Sequence, residues 1–79
     1  MEKIKLIKIK ELEDAHHKNN IPEGEERKGY LIEEPKVDQC FFLEYGNFGE
    51  KYFRTSLVTE IIDENTFKTM NSIYKIVRL

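Results

Sequence analysis

Residues 57–70 read LVTEIIDENTFKTM, in which two runs rich in β-branched and apolar residues flank a short polar segment. Val, Ile, Thr and Phe suit a pleated, half-buried surface, and neither run has the three-and-four apolar spacing of a helix. Asp63 and Asn65 favour a turn because their short side chains hydrogen-bond the nearby backbone. The segment therefore predicts a β-hairpin that pairs Tyr52–Ile62 with Phe67–Arg78.

The N-terminal residues predict another strand, because lysines alternate there with apolar residues. Leu6 and Ile7 are adjacent, which interrupts the period of two and indicates a β-bulge or a bend. A helix over Glu2–Asp14 is the competing interpretation, since its Lys, Leu, Glu and Ile residues are all compatible with a helix. The strand is the favoured prediction.

Two short strands are predicted in the middle of the chain, at Gly29–Ile32 and Gln39–Tyr45. A long polar loop over Asp14–Lys28 precedes them, and loops of about 15 residues are uncommon in compact domains unless they bind something or are disordered. In the final strand, Asn71-Ser72 interrupts the apolar pattern. This interruption predicts a kink, or a single 3₁₀ turn that joins two short strands.

These elements predict an all-β fold, a small five-stranded SH3-like barrel with a long loop after the first strand. The chain has 79 residues, which is the size of one domain with a modest core. Closing the sheet removes the exposed edges that invite aggregation. This plan is shared by unrelated proteins, so it predicts an architecture and not an activity.

Charge and hydropathy exclude several classes of protein. Thirteen Lys and Arg against 15 Asp and Glu give a net charge of −2, which argues against a protein that covers duplex phosphates. Lys3, Lys5, Lys8 and Lys10 crowd the first strand, and the simplest interpretation is a solvated face with edge-guarding lysines. No apolar run approaches the roughly 20 residues that cross a bilayer, and the N-terminus lacks a signal-peptide core, so we expect a cytoplasmic protein without membrane contact.

No motif predicts catalysis, a metal or a cofactor. Ser56 and Ser72 lack a glycine-framed elbow, and the four glycines form neither a phosphate loop nor a dinucleotide fingerprint. His16-His17 is a single cluster without the second cluster that a zinc site needs. Cys40 precedes two phenylalanines, which predicts a buried apolar thiol. We therefore expect a protein that is not an enzyme.

Aromatic and polar residues supply the candidate binding site. Small barrels bind bases and single strands by stacking them on aromatic side chains that lie beside cationic ones. A small barrel also needs aromatic side chains to fill its core. The core candidates are Phe41 or Phe42, Phe53, Phe67 and Tyr74. The predicted ligand-binding residues are Tyr45, Phe48, Tyr52, Arg54, Thr55, Ser56, Asn71 and Ser72. For the last five, the alternative is that they satisfy backbone groups at the kink.

Residues 55–61 (TSLVTEI) followed by 67–74 (FKTMNSIY) resemble a segment of small β-barrel proteins of bacteriophages and mobile elements, whose function is unassigned. The resemblance covers about the last third of the chain. It implies an accessory factor, such as an inhibitor of host defence that would act in the host cytoplasm. Such factors bind a protein or sequester a signalling nucleotide.

The leading expectation is thus a non-enzymatic binding module for a protein partner or a small nucleotide ligand, with homo-oligomerisation open. One alternative is a barrel that binds single-stranded nucleic acid through the lysines of the first strand and exposed aromatics. A second alternative is a structural subunit of a larger assembly, because edge strands of a small barrel invite pairing.

Overall fold

The computed structural model describes residues 2–12, 22–46 and 51–79, which form a closed antiparallel β-barrel. Within these residues six strands follow in order around the barrel, and the last pairs with the first. The described segments contain no helix that is long and apolar enough to span a membrane. The strands are β1 (Glu2–Glu11), β2 (Glu26–Leu31), β3 (Cys40–Tyr45), β4 (Lys51–Asp63), β5 (Thr66–Thr69) and β6 (Ser72–Arg78).

The predicted all-β barrel is confirmed, but the prediction of five strands is wrong. The predicted hairpin turn forms between β4 and β5, where Asn65 N–H donates to Asp63 Oδ1 at 2.8 Å. The segment predicted as one strand with a kink, or as two short strands joined by a 3₁₀ turn, consists of two strands that form a second hairpin, because the chain reverses between Thr69 and Ser72. Thr69 Oγ1 holds this reversal by accepting the N–H groups of Asn71 and Ser72 at 3.2 and 3.0 Å.

The N-terminal segment is the strand β1 and not a helix, and its irregularity lies later than predicted. Ile4, Leu6 and Lys8 are buried in strict alternation, so Leu6 and Ile7 cause no change of face. The register with β6 shifts between Lys8 and Lys10 instead. Lys8 therefore keeps the inward orientation of Leu6, and the prediction that it lies on a solvated face is wrong.

The predicted loop over Asp14–Lys28 is shorter at its C-terminal end, because β2 begins at Glu26 and pairs with β1 from there. Arg27 and Lys28 lie opposite Leu6 and Lys5 in this pairing. Their polar side chains did not predict a strand, and it is the pairing with β1 that holds them in an extended conformation. Residues 14–21 of the predicted loop, which include His16-His17, lie outside the described residues.

Strand β4 closes the barrel by pairing with two different neighbours. Its first half pairs with β3 and its second half pairs with β5. The register shifts once against β3 and twice against β5, which places β-bulges along this single strand. Because bulges bend a strand and increase its twist, β4 can turn around the barrel without losing its neighbours.

Aromatic rings contribute to the barrel interior, as predicted for Phe67, Tyr74 and Phe53, and of the alternatives Phe41 and Phe42 it is Phe41 that is buried. The ring centroids of Phe41 and Phe67 lie 4.8 Å apart, and those of Phe67 and Tyr74 lie 5.5 Å apart. Phe53 packs edge-on against Tyr74 at the margin of the core. Burial raises the pKa of the Tyr74 phenol to about 12, so this ring stays neutral. The other core residues are Ile4, Leu6, Leu31, Leu43, Val58 and Ile76.

The orientation of β1 predicts that the same substitution, Ile to Val, has different effects on stability at two positions of this strand. Ile4→Val removes a methylene from the buried core and should lower the free energy of unfolding by about 0.5–1.5 kcal/mol. Ile9→Val, on the exposed side of the same strand, should change it by less than about 0.5 kcal/mol. Urea unfolding measures both. Equal losses would contradict the assigned orientation of the strand.

Candidate functional site

A cleft of about 370 Å³ lies between the β2–β3 connection and the outer surface of the β3–β4 pair. Exposed apolar side chains form part of it, namely Ile32, Phe42 and Leu57. Its volume falls in the range of about 300–1,000 Å³ that is typical of ligand sites. The remaining residues that line the cleft are Glu33, Glu34, Asp38, Gln39, Cys40, Phe41 and Arg54.

A bulge in β4 brings Arg54 and Leu57 to the same side of the sheet. Arg54 pairs with Phe42 and Leu57 pairs with Cys40, so three steps along β4 match two steps along β3. Without the extra residue, Arg54 and Leu57 would face opposite sides, because strand side chains alternate. The bulge therefore places a cation and an apolar side chain together in the cleft.

Thr55 holds this bulge from inside the barrel. Its Oγ1 accepts the N–H of Phe41 at 3.0 Å and donates to the carbonyl oxygen of Ser56 at 2.7 Å. Thr55 is buried, so the hydroxyl replaces a strand partner that the bulge removes from Phe41. Immediately after the bulge, β4 is bonded on both sides: Leu57 C=O accepts from Met70 N–H after β5, and Val58 bonds the backbone of Asp38 and Gln39 before β3.

Arg78 fixes the wall of the cleft that contains Glu34. Its guanidinium donates two hydrogen bonds to the Glu34 carboxylate, at 3.0 and 2.8 Å. It also donates to Glu2 Oε1 at 2.8 Å and to Asn65 Oδ1 at 2.9 Å. The hydrogen bond from Arg78 lowers the pKa of the Glu34 carboxyl below its ordinary value. One side chain thus ties the β2–β3 connection to β1, β6 and the β4–β5 turn.

The cleft carries few charges that are free to meet a ligand. Glu34 is paired with Arg78, and Glu33 is paired with Lys36 at 2.8 Å. Within the described residues, Arg54 and Asp38 have no ion-pair partner. Among the described residues that line it, the cleft therefore offers the unpaired guanidinium of Arg54, the unpaired carboxylate of Asp38 and an apolar centre.

The structure does not bring the residues predicted to bind a ligand together in one site. Arg54 lines the cleft, while Tyr45 and Tyr52 are exposed on β3 and β4 outside its lining. Ser56 lies half-buried in the bulge. Phe48 lies outside the described residues. The buried members are Thr55, Asn71 and Ser72.

Of the buried members, Thr55 bonds the backbone through its side chain: its hydroxyl accepts the N–H of Phe41 and donates to the carbonyl oxygen of Ser56. Asn71 and Ser72 take part through their backbone N–H groups, which donate to Thr69 Oγ1. The carbonyl oxygen of Asn71 also accepts the N–H of Leu12 at 2.8 Å, which joins the turn to the end of β1. This polar group thus joins separate parts of the barrel.

Sequence reasoning missed the fully buried Lys8. Its ammonium lies 3.0 Å from Glu11 Oε1, three residues along the same strand. The bulge between Lys8 and Lys10 allows this contact, since residues three apart on a regular strand face opposite sides. Ile4, Leu6 and Lys8 stand at alternate positions in the sequence, which indicates that Lys8 faces inward with the other two. The adjacent apolar residues Leu6 and Ile7 obscured this alternation. The apolar lining residues Ile32, Phe42 and Leu57 were missed too, because their exposure depends on the fold.

Comparisons of this chain with protein-family models, with curated proteins and with solved structures find no match. The chemistry of the cleft is therefore the basis on which a function can be assigned. That chemistry combines exposed apolar side chains with one unpaired guanidinium, and it includes no cluster of three metal-ligating side chains among the described residues.

The role of Thr55 predicts a stability difference between two threonine variants. Thr55→Val leaves the buried Phe41 N–H without its acceptor and should cost about 1–3 kcal/mol of unfolding free energy. Thr59→Val removes an exposed hydrogen bond to the carbonyl oxygen of Lys68 and should cost less than about 0.5 kcal/mol. Chemical denaturation distinguishes the two. A loss at Thr59 that matches the loss at Thr55 would contradict this role.

The Lys8–Glu11 pair predicts an asymmetry between its two partners. Glu11→Ala leaves the ammonium of Lys8 buried without its carboxylate and should destabilise the protein by about 3 kcal/mol. Lys8→Met should cost less than half as much, because the side chain of Glu11 retains 25% exposure and remains accessible to water. Thermal and urea unfolding of both variants give the comparison. A larger cost for Lys8→Met would contradict the buried position of the ammonium.

Proposed function

We propose that this chain is a non-enzymatic binding module that holds a protein partner in the cleft between the β2–β3 connection and the β3–β4 pair. The observation that carries the proposal is the exposed apolar set Ile32, Phe42 and Leu57 around the unpaired Arg54. Interface cores are enriched in aromatic residues and arginine, and a few such residues supply most of the binding energy. The partner contributes an apolar side chain together with a carboxylate that meets Arg54.

The charge of the cleft favours a protein over a nucleotide at this position. A nucleotide with several phosphates needs several cations, and Arg54 is the one cation among the residues that line the cleft. Asp38 adds a carboxylate that would repel phosphate, while the lining carboxylates Glu33 and Glu34 already have partners. A protein surface can match one cation, one carboxylate and an apolar centre at the same time.

The proposed setting is that of a mobile-element accessory factor which acts in the cytoplasm of a bacterial host. The resemblance of residues 55–61 and 67–74 to small phage and mobile-element proteins supports this setting. The small closed barrel is compatible with an SH3-like arrangement, in which function resides in surface residues and loops. Occupation of a host protein, such as a component of host defence, is the mode of action that this setting favours.

Capture experiments with matched variants test the cleft. We expect a discrete bacterial protein to be retained by the immobilised wild-type chain and lost with the double variant Phe42→Ser and Leu57→Ser. The matched control is Ile61→Ser with Ile62→Ser, since these residues have similar exposure and lie outside the lining of the cleft. Arg54→Glu should weaken retention as well, by placing a carboxylate where the partner presents one.

Two results would contradict the proposal. One is a set of captured proteins that is the same for the wild type, the cleft variant and the control variant. The other is a second copy of this chain as the occupant, seen as a doubled mass in light scattering that the cleft variant returns to the monomer value. Circular dichroism melts of all variants establish that each comparison is made between folded proteins.

A further inference from the structure

A second, smaller pocket lies on a different face of the barrel, where β1, β2 and the end of β3 meet. It has a volume of about 220 Å³. Two exposed tyrosines and two exposed lysines contribute to it, and we call it the tyrosine–lysine pocket. It shares no lining residue with the cleft. The lining residues are Lys3, Lys28, Gly29, Tyr30, Tyr45 and Gly46.

Strand register brings these side chains together. Lys3 lies directly opposite Tyr30 in the β1–β2 pair, and Lys28 precedes Tyr30 by two residues, so all three share the outer face. Tyr45 ends β3 one residue after Glu44, the residue that lies opposite Tyr30, so Tyr45 lines the pocket from the end of the strand and not from the row of Lys3 and Tyr30.

Gly29 permits the close approach of β2 and β3 beneath the pocket. A methyl group at this position would overlap the carbonyl oxygen of Glu44 and come within 2.9 Å of Leu43 Cγ. Any larger residue would separate the two strands and move Tyr30 away from the end of β3. At the far side of the pocket, Gly46 has a φ of 98°, a conformation that favours glycine, and it turns the chain directly after Tyr45.

The charges at the pocket favour an anion. Lys5, the next outward lysine on β1, is engaged by Glu26 at 3.3 Å. Lys3 and Lys28 have no ion-pair partner among the described residues. The nearest carboxylate in the same row of the sheet is Glu44, which lies opposite Tyr30 on the side away from Lys3. Two ammonium groups beside two tyrosines are the elements that bind the phosphate and the base of an unpaired nucleotide.

We propose that the tyrosine–lysine pocket binds an unpaired nucleotide, with its base stacked on Tyr30 or Tyr45 and its phosphate held by Lys3 and Lys28. Sequence reasoning placed such an interaction on all four lysines of the first strand, whereas Lys8 is buried and only Lys3 of the four lines this pocket. The inference is independent of the protein-binding cleft. Either site can fail its test without affecting the other.

The first experiment is an NMR titration of the intact chain with a nucleoside monophosphate, a short oligothymidylate and a DNA duplex of equal length. We expect amide shifts concentrated at Lys3, Lys28–Tyr30 and Tyr45–Gly46 with the unpaired ligands and not with the duplex. Saturation by the monophosphate at concentrations similar to the oligonucleotide would identify a free nucleotide as the ligand, and tighter binding of the oligonucleotide would identify a single strand. An absence of shifts at these residues, or equal binding of the duplex, would overturn the proposal.

The second experiment measures the salt dependence of oligothymidylate binding by fluorescence anisotropy. One phosphate held by both lysines predicts a slope of about −0.7 for log K against log salt, since each phosphate neutralised on a single strand contributes about −0.7. The double variant Lys3→Gln and Lys28→Gln should bring this slope close to zero. The control Lys10→Gln with Lys75→Gln removes the same charge from exposed positions outside the pocket and should leave the slope unchanged.

Two further variants separate stacking from charge. Tyr30→Leu and Tyr45→Leu each keep an apolar side chain but remove an aromatic face, so the variant that lacks the stacking ring should weaken binding about tenfold while the salt slope stays the same. If neither variant weakens binding more than the control lysine variant does, nonspecific charge explains the binding and the proposal is overturned. Circular dichroism melts establish that each variant is folded.

Discussion

The hydrogen bond from Phe41 N–H to Thr55 Oγ1 is the contact on which both the barrel and its main cleft depend. Along β4 the strand pairing passes from β3 to β5 at Leu57 and Val58, where Leu57 bonds Met70 and Val58 still bonds Asp38 and Gln39, and the bulge at Thr55-Ser56 lies directly before these residues. The bulge takes the N–H of Phe41 out of the regular ladder, and the buried hydroxyl satisfies it. The same extra residue turns Arg54 and Leu57 towards one side. The bulge therefore contributes both to the closure of the barrel and to the formation of the cleft.

The sequence predicts the class of fold because its strongest signals are local. The turn at Asp63–Thr66 and the aromatic core residues Phe41, Phe67 and Tyr74 follow from side-chain chemistry and alternation. The number of strands does not follow, because the reversal after Thr69 depends on one hydroxyl that accepts two backbone N–H groups. Lys8 was misplaced for a related reason. Its burial depends on a bulge and on the contact with Glu11, and a period-two pattern shows neither of these.

The sites were less predictable than the fold, because they combine residues distant in sequence. Arg54 belongs to the predicted set, but the apolar residues beside it in the cleft come from three separate parts of the chain. One wall of the cleft contains Glu34, whose carboxylate accepts two hydrogen bonds from the Arg78 guanidinium of β6. Thr55, Asn71 and Ser72 were predicted to bind a ligand because they interrupt the apolar pattern. In the structure all three are buried in the barrel, where Thr55 accepts the N–H of Phe41. A polar break in a strand pattern marks a bulge or a turn as readily as a binding site.

Native-state hydrogen exchange at the amide of Phe41 tests the central claim most directly. If Thr55 holds the bulge in solution, the N–H of Phe41 is protected to the same degree as the amide of Val58, which donates to Gln39 C=O at 2.9 Å on the other side of the bulge. Both amides should then exchange only through opening of the whole barrel. Exchange of the Phe41 amide at the rate of an exposed amide, while the Val58 amide stays protected, would contradict this account of how the barrel closes and how the cleft forms.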